Sequence, residues 1–307
     1  MTFKDSFTLN AAAPFDFDLT CQIFRNGDPQ LKTYREGVFL QLLRVCDGLV
    51  MASVSSAGTI EKPTLKVELY SDRVITPKIA ATSKEVLTYI FNLDFSLNAF
   101  YKQIENDHIM KKIAAQLYGL KNPTTPTVFE ALVDAIVEQQ ISIKVAHTIE
   151  ERISKKFGDK LVIDGGTYFT YPTAQNIKAS SVDNIRDCGL SQRKAEYIYG
   201  VAELIADGKL NLEEMKTQPD PQDIIAELDE IKGIGVWTAE LTMLRGMHRL
   251  DALPADDLGI QRVISTYYRG GKRIKAAEAR EIAQAWGKYS GLAAFYLIIA
   301  EVKKLLA

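Results

Sequence analysis

Two adjacent carboxylates, Asp256 and Asp257, stand directly ahead of the helix-forming run Leu258-Gly-Ile-Gln-Arg-Val-Ile. A carboxylate just before a helix accepts a hydrogen bond from the first free amides and is held in one orientation. A charge fixed in this way either only caps the helix or also stabilises a positive charge developing beside it. Twenty positions upstream of Asp257 is Trp237, whose flat ring can pack two helices together or stack on a flat ligand. Ahead of the tryptophan, Gly233-Ile234-Gly235 separates a helical pattern ending near Glu230 from one starting at about Val236. Glycines there admit backbone angles closed to other residues and let another backbone come close. The new helix points its free N–H groups and positive dipole end over the turn, a fit for a phosphate that needs no basic side chain. Taken alone, Gly-x-Gly is equally a tight helix–helix turn with Ile234 plugging a core.

The elements that must position these residues fall into two stretches. Up to about residue 105, β-favouring runs dominate: Gly37 to Cys46, the Asp47-Gly48 hairpin signal, Leu49 to Val54, and the period-two run Thr64-Leu-Lys-Val-Glu-Leu-Tyr. Ser83 is expected to cap a helix beginning at Lys84. Beyond 105 the pattern is helical. Helices are expected from Thr127, from Ile143 to about Lys156 capped by Ser142, and from Gln192 to about Asp207 capped by Ser191, with Gly208 as a stop. Another follows the break at Pro219 and Pro221, then come Ala276 to about Trp286 and Leu292 to Lys303. The class is α+β.

Bulk properties exclude more than they identify. The 307 residues are 47% hydrophobic and 25% charged, an ordinary globular composition. The net charge of −2 offers no general attraction for nucleic acid, so phosphate binding must rest on locally placed donors. Cys21, Cys46 and Cys188 form no C-x-x-C pair, and His108, His147 and His248 show no i, i+4 pairing, so no metal site is expected. No apolar run is long enough to span a bilayer, and the opening Met-Thr-Phe-Lys-Asp does not read as a signal peptide. A cytoplasmic protein is expected, associated with the nucleoid in a prokaryote.

Leu228-x-x-Ile-Lys-Gly-Ile-Gly-x-Trp-Thr-Ala, then Leu244-Arg-Gly, then Leu253-Pro-Ala-Asp-Asp-Leu-Gly-Ile-Gln together resemble the signature of the helix–hairpin–helix DNA glycosylases. Within that superfamily the match is to the 3-methyladenine DNA glycosylase II branch. The resemblance runs from about Thr124 to Val302, and over the first hundred residues rests on Pro14-Phe-Asp-Phe-Asp and a sheet of suitable size. It implies an N-terminal antiparallel-sheet (TBP-like) domain over 1–105. A mostly α-helical glycosylase region of two subdomains would follow over 106–307, with its helix–hairpin–helix near 223–246.

The function implied is monofunctional excision of alkylated purines, 3-methyladenine type and hypoxanthine besides, from double-stranded DNA by base flipping. Asp257 would stabilise the cationic sugar that forms as the base departs. Strand-nicking branches carry a Schiff-base lysine where Trp237 stands, and an indole cannot take that role. Trp237 would instead stack on the flipped base, whose positive charge favours an electron-rich face. Leu241, Leu244, Tyr296 and Ile298 would extend the pocket wall; Leu241 and Ile298 stand where the family can carry aromatics, which implies a roomier pocket. Gln140, with Gln139 beside it, would fill the gap left by flipping. Gly233, Gly235, Thr238 and Arg245 would contact the DNA backbone, as would Gln192-Arg-Lys194 and Arg262. No cofactor is implied beyond a monovalent cation on the hairpin carbonyls around Gly233, and a monomer is expected. The alternatives are an 8-oxoguanine-type glycosylase/lyase, which Trp237 opposes, and a non-catalytic helix–hairpin–helix DNA-binding protein, which has no use for Asp257.

Overall fold

The computed structural model describes residues 2–46 and 48–305. Strands β1 (Phe3–Asn10), β2 (Lys32–Arg35), β3 (Val38–Val45), β4 (Gly48–Ser56) and β5 (Thr64–Ser71) form one antiparallel sheet in the order β1-β5-β4-β3-β2. Alternation sets its two faces. Phe39, Leu43, Val50, Ala52, Val54, Val67 and Leu69 face a core shared with the short helix α1 (Phe17–Cys21) and with α2 (Pro77–Ile90). The expected hairpin pairs Val45 with Gly48; its Asp47 lies outside the described residues.

Ser83 does not start a helix. Thr76 caps α2, accepting from the Ile79 amide, and Pro77 sets the first turn. Ser83 sits mid-helix, donating back to the Ile79 carbonyl at 2.8 Å.

Buried residues of the sheet core end at Leu93, and those of the helical core begin at Leu97. The helices are α3 (Asn98–Gln103), α4 (His108–Gln116), α5 (Val128–Glu138), α6 (Ile143–Phe157), α7 (Ala174–Lys178), α8 (Val182–Arg186), α9 (Gln192–Ala206), α10 (Pro221–Asp229), α11 (Val236–Gly246), α12 (Leu258–Tyr268), α13 (Ala276–Ala283) and α14 (Ser290–Val302). Thr127, Ser142 and Ser191 cap α5, α6 and α9 as their sequences demand. No helix among the described residues is long and apolar enough to cross a membrane.

Between α6 and α7 the chain makes a hairpin, β6 (Lys160–Ile163) and β7 (Gly166–Phe169). Its Leu161 and Ile163 pack on Leu42 and Met51, the face of the five-stranded sheet turned away from α2. Arg44 of β3 reinforces the join, with Asp159 Oδ2 at 2.7 Å and the Thr170 hydroxyl at 2.8 Å.

A row of acids along α5, Glu130, Asp134 and Glu138 at i, i+4 and i+8, faces the sheet edge and α11. Lys32 of β2 lies 3.2 Å from Glu130, the Tyr171 hydroxyl donates to Asp134 at 2.9 Å, and Arg245 pairs with Glu138. Burial, then the neighbouring Glu130, pushes Asp134 up from its ordinary 3.8 to about 7. Burial also raises Glu150 on α6, one of whose oxygens is buried without a partner. Since the folded value of Asp134 lies above the unfolded one, the stability gained by keeping it protonated is full below about pH 4. It is lost as pH climbs towards 7. Asp134→Asn keeps the acceptor for Tyr171 without the charge. It should therefore be more stable than the parent by about 2 kcal/mol at pH 8 and gain little at pH 4, by urea denaturation at both values.

Candidate active site

Asp257 is the N-cap of α12. Its Oδ1 accepts the Ile260 amide at 2.9 Å, and its Oδ2 accepts the indole N–H of Trp237 at 3.3 Å. Both oxygens are thus oriented, one by the helix it starts and one by the residue twenty places upstream. The two neighbouring aspartates divide their surroundings. Asp256 is exposed and turns to Arg280, 3.8 Å from its guanidinium, which also holds Glu240 at 2.8 Å. Asp257 has no Lys, Arg or His within salt-bridge distance among the described residues. Its half-buried carboxylate is held by neutral N–H donors and left without a counter-charge. Such a group can stabilise a cation brought to it.

The hairpin between α10 and α11 turns on Gly233, whose φ is +91°. A Cβ there would stand 2.2 Å from the ring of Tyr197 on α9, so the ring is seated on the bare backbone. Ile234 is buried and plugs the turn, its amide bonded to the Ile231 carbonyl at 3.0 Å. Gly235, the N-cap of α11, differs. Its φ of −107° is open to any residue, the nearest atom to an added Cβ is 3.9 Å away, and it is exposed. No side chain caps α11, so its first amides and dipole end are left free at an exposed turn, an arrangement able to accept an anion.

The turn from α5 to α6 is tied to this hairpin. Gln139 is half-buried, and its amide donates to the Gly233 carbonyl at 2.9 Å and the Thr238 hydroxyl at 3.0 Å. Lys194 of α9 donates to the carbonyls of Val137 and Gln139 at 2.7 and 2.5 Å, closing the C-terminal end of α5. Gln140 is left at the tip, exposed with φ +56°, beside the exposed apolar residues Ile141, Ile143 and Val145.

These contacts change several sequence expectations. Thr238 is buried and its hydroxyl faces Gln139; Arg245 is committed to Glu138; Gln139 and Lys194 bind backbone inside the protein. All four brace the hairpin from behind, because the acids and carbonyls that satisfy them are internal. The Gly233 carbonyl, one of those expected to hold a monovalent cation, accepts the Gln139 amide and keeps its second lone pair. Tyr296 has no accessible surface: its hydroxyl donates to the Leu120 carbonyl at 2.6 Å and its ring packs edge-on against Phe100, so it belongs to the core. On α11, Leu241 and Leu244 follow Trp237 at i+4 and i+7 and are nearly buried, while Ile298 on α14 is half-buried. Tyr197 was not foreseen. Its i+3 spacing from Lys194 puts both on one face of α9, a pattern visible in the sequence but indistinguishable there from core packing.

Residues 133–288 match the family model described as HhH-GPD superfamily base excision DNA repair protein. The DNA-3-methyladenine glycosylase of Bacillus subtilis (strain 168) is 31% identical over 217 residues, 70% of this chain and 71% of that protein. The solved 3-methyladenine DNA-glycosylase from Archaeoglobus fulgidus superposes with a TM-score of 0.85 at 26% identity, over 98% of this chain and all of that one. The 8-oxoguanine glycosylase/lyase of Clostridium acetobutylicum, solved with double-stranded DNA, has a TM-score of 0.77 at 22% identity over 99% of both chains, a likeness of fold.

Proposed function

The chain belongs to the HhH-GPD superfamily of base excision DNA repair proteins, and from that premise we propose that it excises alkylated purines from double-stranded DNA as a monomeric, monofunctional N-glycosyl hydrolase. The observation that carries this reading is the uncompensated carboxylate of Asp257 beside the Trp237 indole. The uncapped start of α11 and Gly235 take a phosphate of the damaged strand. The purine leaves the stack and lies against the exposed part of Trp237, and Gln140 enters the vacated space. The C1′–N bond then breaks, its electron pair leaving with the purine nitrogen and neutralising the alkylated base. Asp257 stabilises the cationic sugar, water adds its oxygen to C1′, and the released proton passes to solvent.

No step uses a lysine nucleophile: Trp237 stands at the start of α11, and Lys232 lies exposed in the turn. Duplexes carrying 3-methyladenine, 7-methylguanine, hypoxanthine or 8-oxoguanine test the proposal. Mass spectrometry should find freed alkylated purine, with hypoxanthine released more slowly, and borohydride should trap no protein–DNA adduct. A trapped adduct with 8-oxoguanine release would replace this reading with a glycosylase/lyase.

A further inference from the structure

With a net charge of −2, this protein needs local sources of attraction for DNA, and beyond the first amides of α11 the hairpin adds one exposed cation, Lys232. Arg245 and Lys194, the cations nearest the hairpin's supports, are spent on Glu138 and on the carbonyls of Val137 and Gln139. A cluster of unspent cations lies in the loop after α12, Arg269-Gly-Gly-Lys-Arg-Ile-Lys275. Arg269 pairs with Glu278 at 2.7 Å. Lys272, Arg273 and Lys275 are all exposed, and none has an acid within salt-bridge distance among the described residues.

This loop borders a cavity against α12. The cavity, of about 200 Å³, runs along α12 from Leu258, the residue after Asp257, past Arg262 and Thr266 to Gly271 and Arg273.

We propose that Lys272, Arg273 and Lys275, in the loop that borders this cavity, form a second binding site for the phosphodiester backbone of double-stranded DNA. The inference rests on the DNA glycosylase reading and adds a contact of the protein outside the hairpin. The site reads no bases; it supplies sequence-independent affinity and helps set the path of the strand.

The test is binding of an undamaged duplex, followed by fluorescence anisotropy across a KCl titration. Lys272→Ala/Arg273→Ala/Lys275→Ala should lower the slope of log K against log [salt] by about 2.7, three contacts at ~0.9 each. A control with the same charge loss near the N-terminal sheet, at Lys62 before β5, Lys66 on β5 and Lys78 on α2 (Lys62→Ala/Lys66→Ala/Lys78→Ala), should keep the parent slope. An unchanged slope in the loop variant, or an equal fall in the control, overturns the inference. Because no base is released in this assay, the result is separate from whether Asp257 is catalytic. A parent that excises nothing would sink that reading and leave the binding result standing.

Discussion

Gly233→Ala should unfold at markedly lower urea concentration than the parent, a loss of about 2–5 kcal/mol, whereas Gly235→Ala should keep parent stability within about 0.5 kcal/mol and lose DNA. The two glycines flank one isoleucine but answer to different constraints. At Gly233 the φ of +91° disfavours any side chain, and the new methyl would lie 2.2 Å from a Tyr197 ring carbon. Tyr197 belongs to α9, whose Lys194 also holds the end of α5, so relieving the clash disturbs the support of the hairpin as well as the turn. At Gly235 neither constraint exists, since φ is −107° and the nearest atom is 3.9 Å away. What the fold does not require, an incoming backbone does: a methyl there stands over the free amides that start α11. The loss of a charge-assisted contact should weaken duplex affinity by about tenfold or more. Equal destabilisation by both substitutions, or unaltered DNA binding by Gly235→Ala, would refute this division.

What the sequence revealed followed how local the signals were. Caps and stops at Thr127, Ser142, Ser191 and Gly208 are written within a few residues, and the structure places them accordingly. The hairpin glycines, and Asp257 at the start of α12, are local in the same sense. Gln139, Thr238 and Arg245 could not be read this way. A polar side chain near a hairpin has the same chemistry whether it meets a phosphate or an internal carbonyl, and the carbonyl that Gln139 meets is 94 positions away. Tyr296 shows the converse: on a mostly apolar helix, one register step separates a pocket wall from a core, and its hydroxyl finds Leu120 across 176 positions. The β6–β7 hairpin carried a usable signal, Asp164-Gly165-Gly166 after Leu161-Val-Ile, that the dominant helical pattern around it obscured.

Asp257→Asn is the other change with a large expected effect, and it acts on chemistry rather than folding. Asparagine caps helices as well as aspartate does. Its oxygen can still accept the Ile260 amide, so α12 should start at the same residue, while the charge–dipole interaction and the bond from the Trp237 indole to the second oxygen are given up. What disappears is the one carboxylate beside Trp237 that lacks a cationic partner. The developing sugar cation then loses its counter-charge in a partly desolvated site, a cost of about a thousandfold in rate. Asp256→Asn serves as the control, because that side chain is exposed and directed to Arg280.

The decisive measurement is single-turnover release of 7-methylguanine from a duplex, with binding of the same duplex recorded alongside. Asp257→Asn should bind as the parent does yet free the base about a thousandfold more slowly, and Asp256→Asn should stay near the parent rate. Base release by Asp257→Asn at the parent rate would contradict the account.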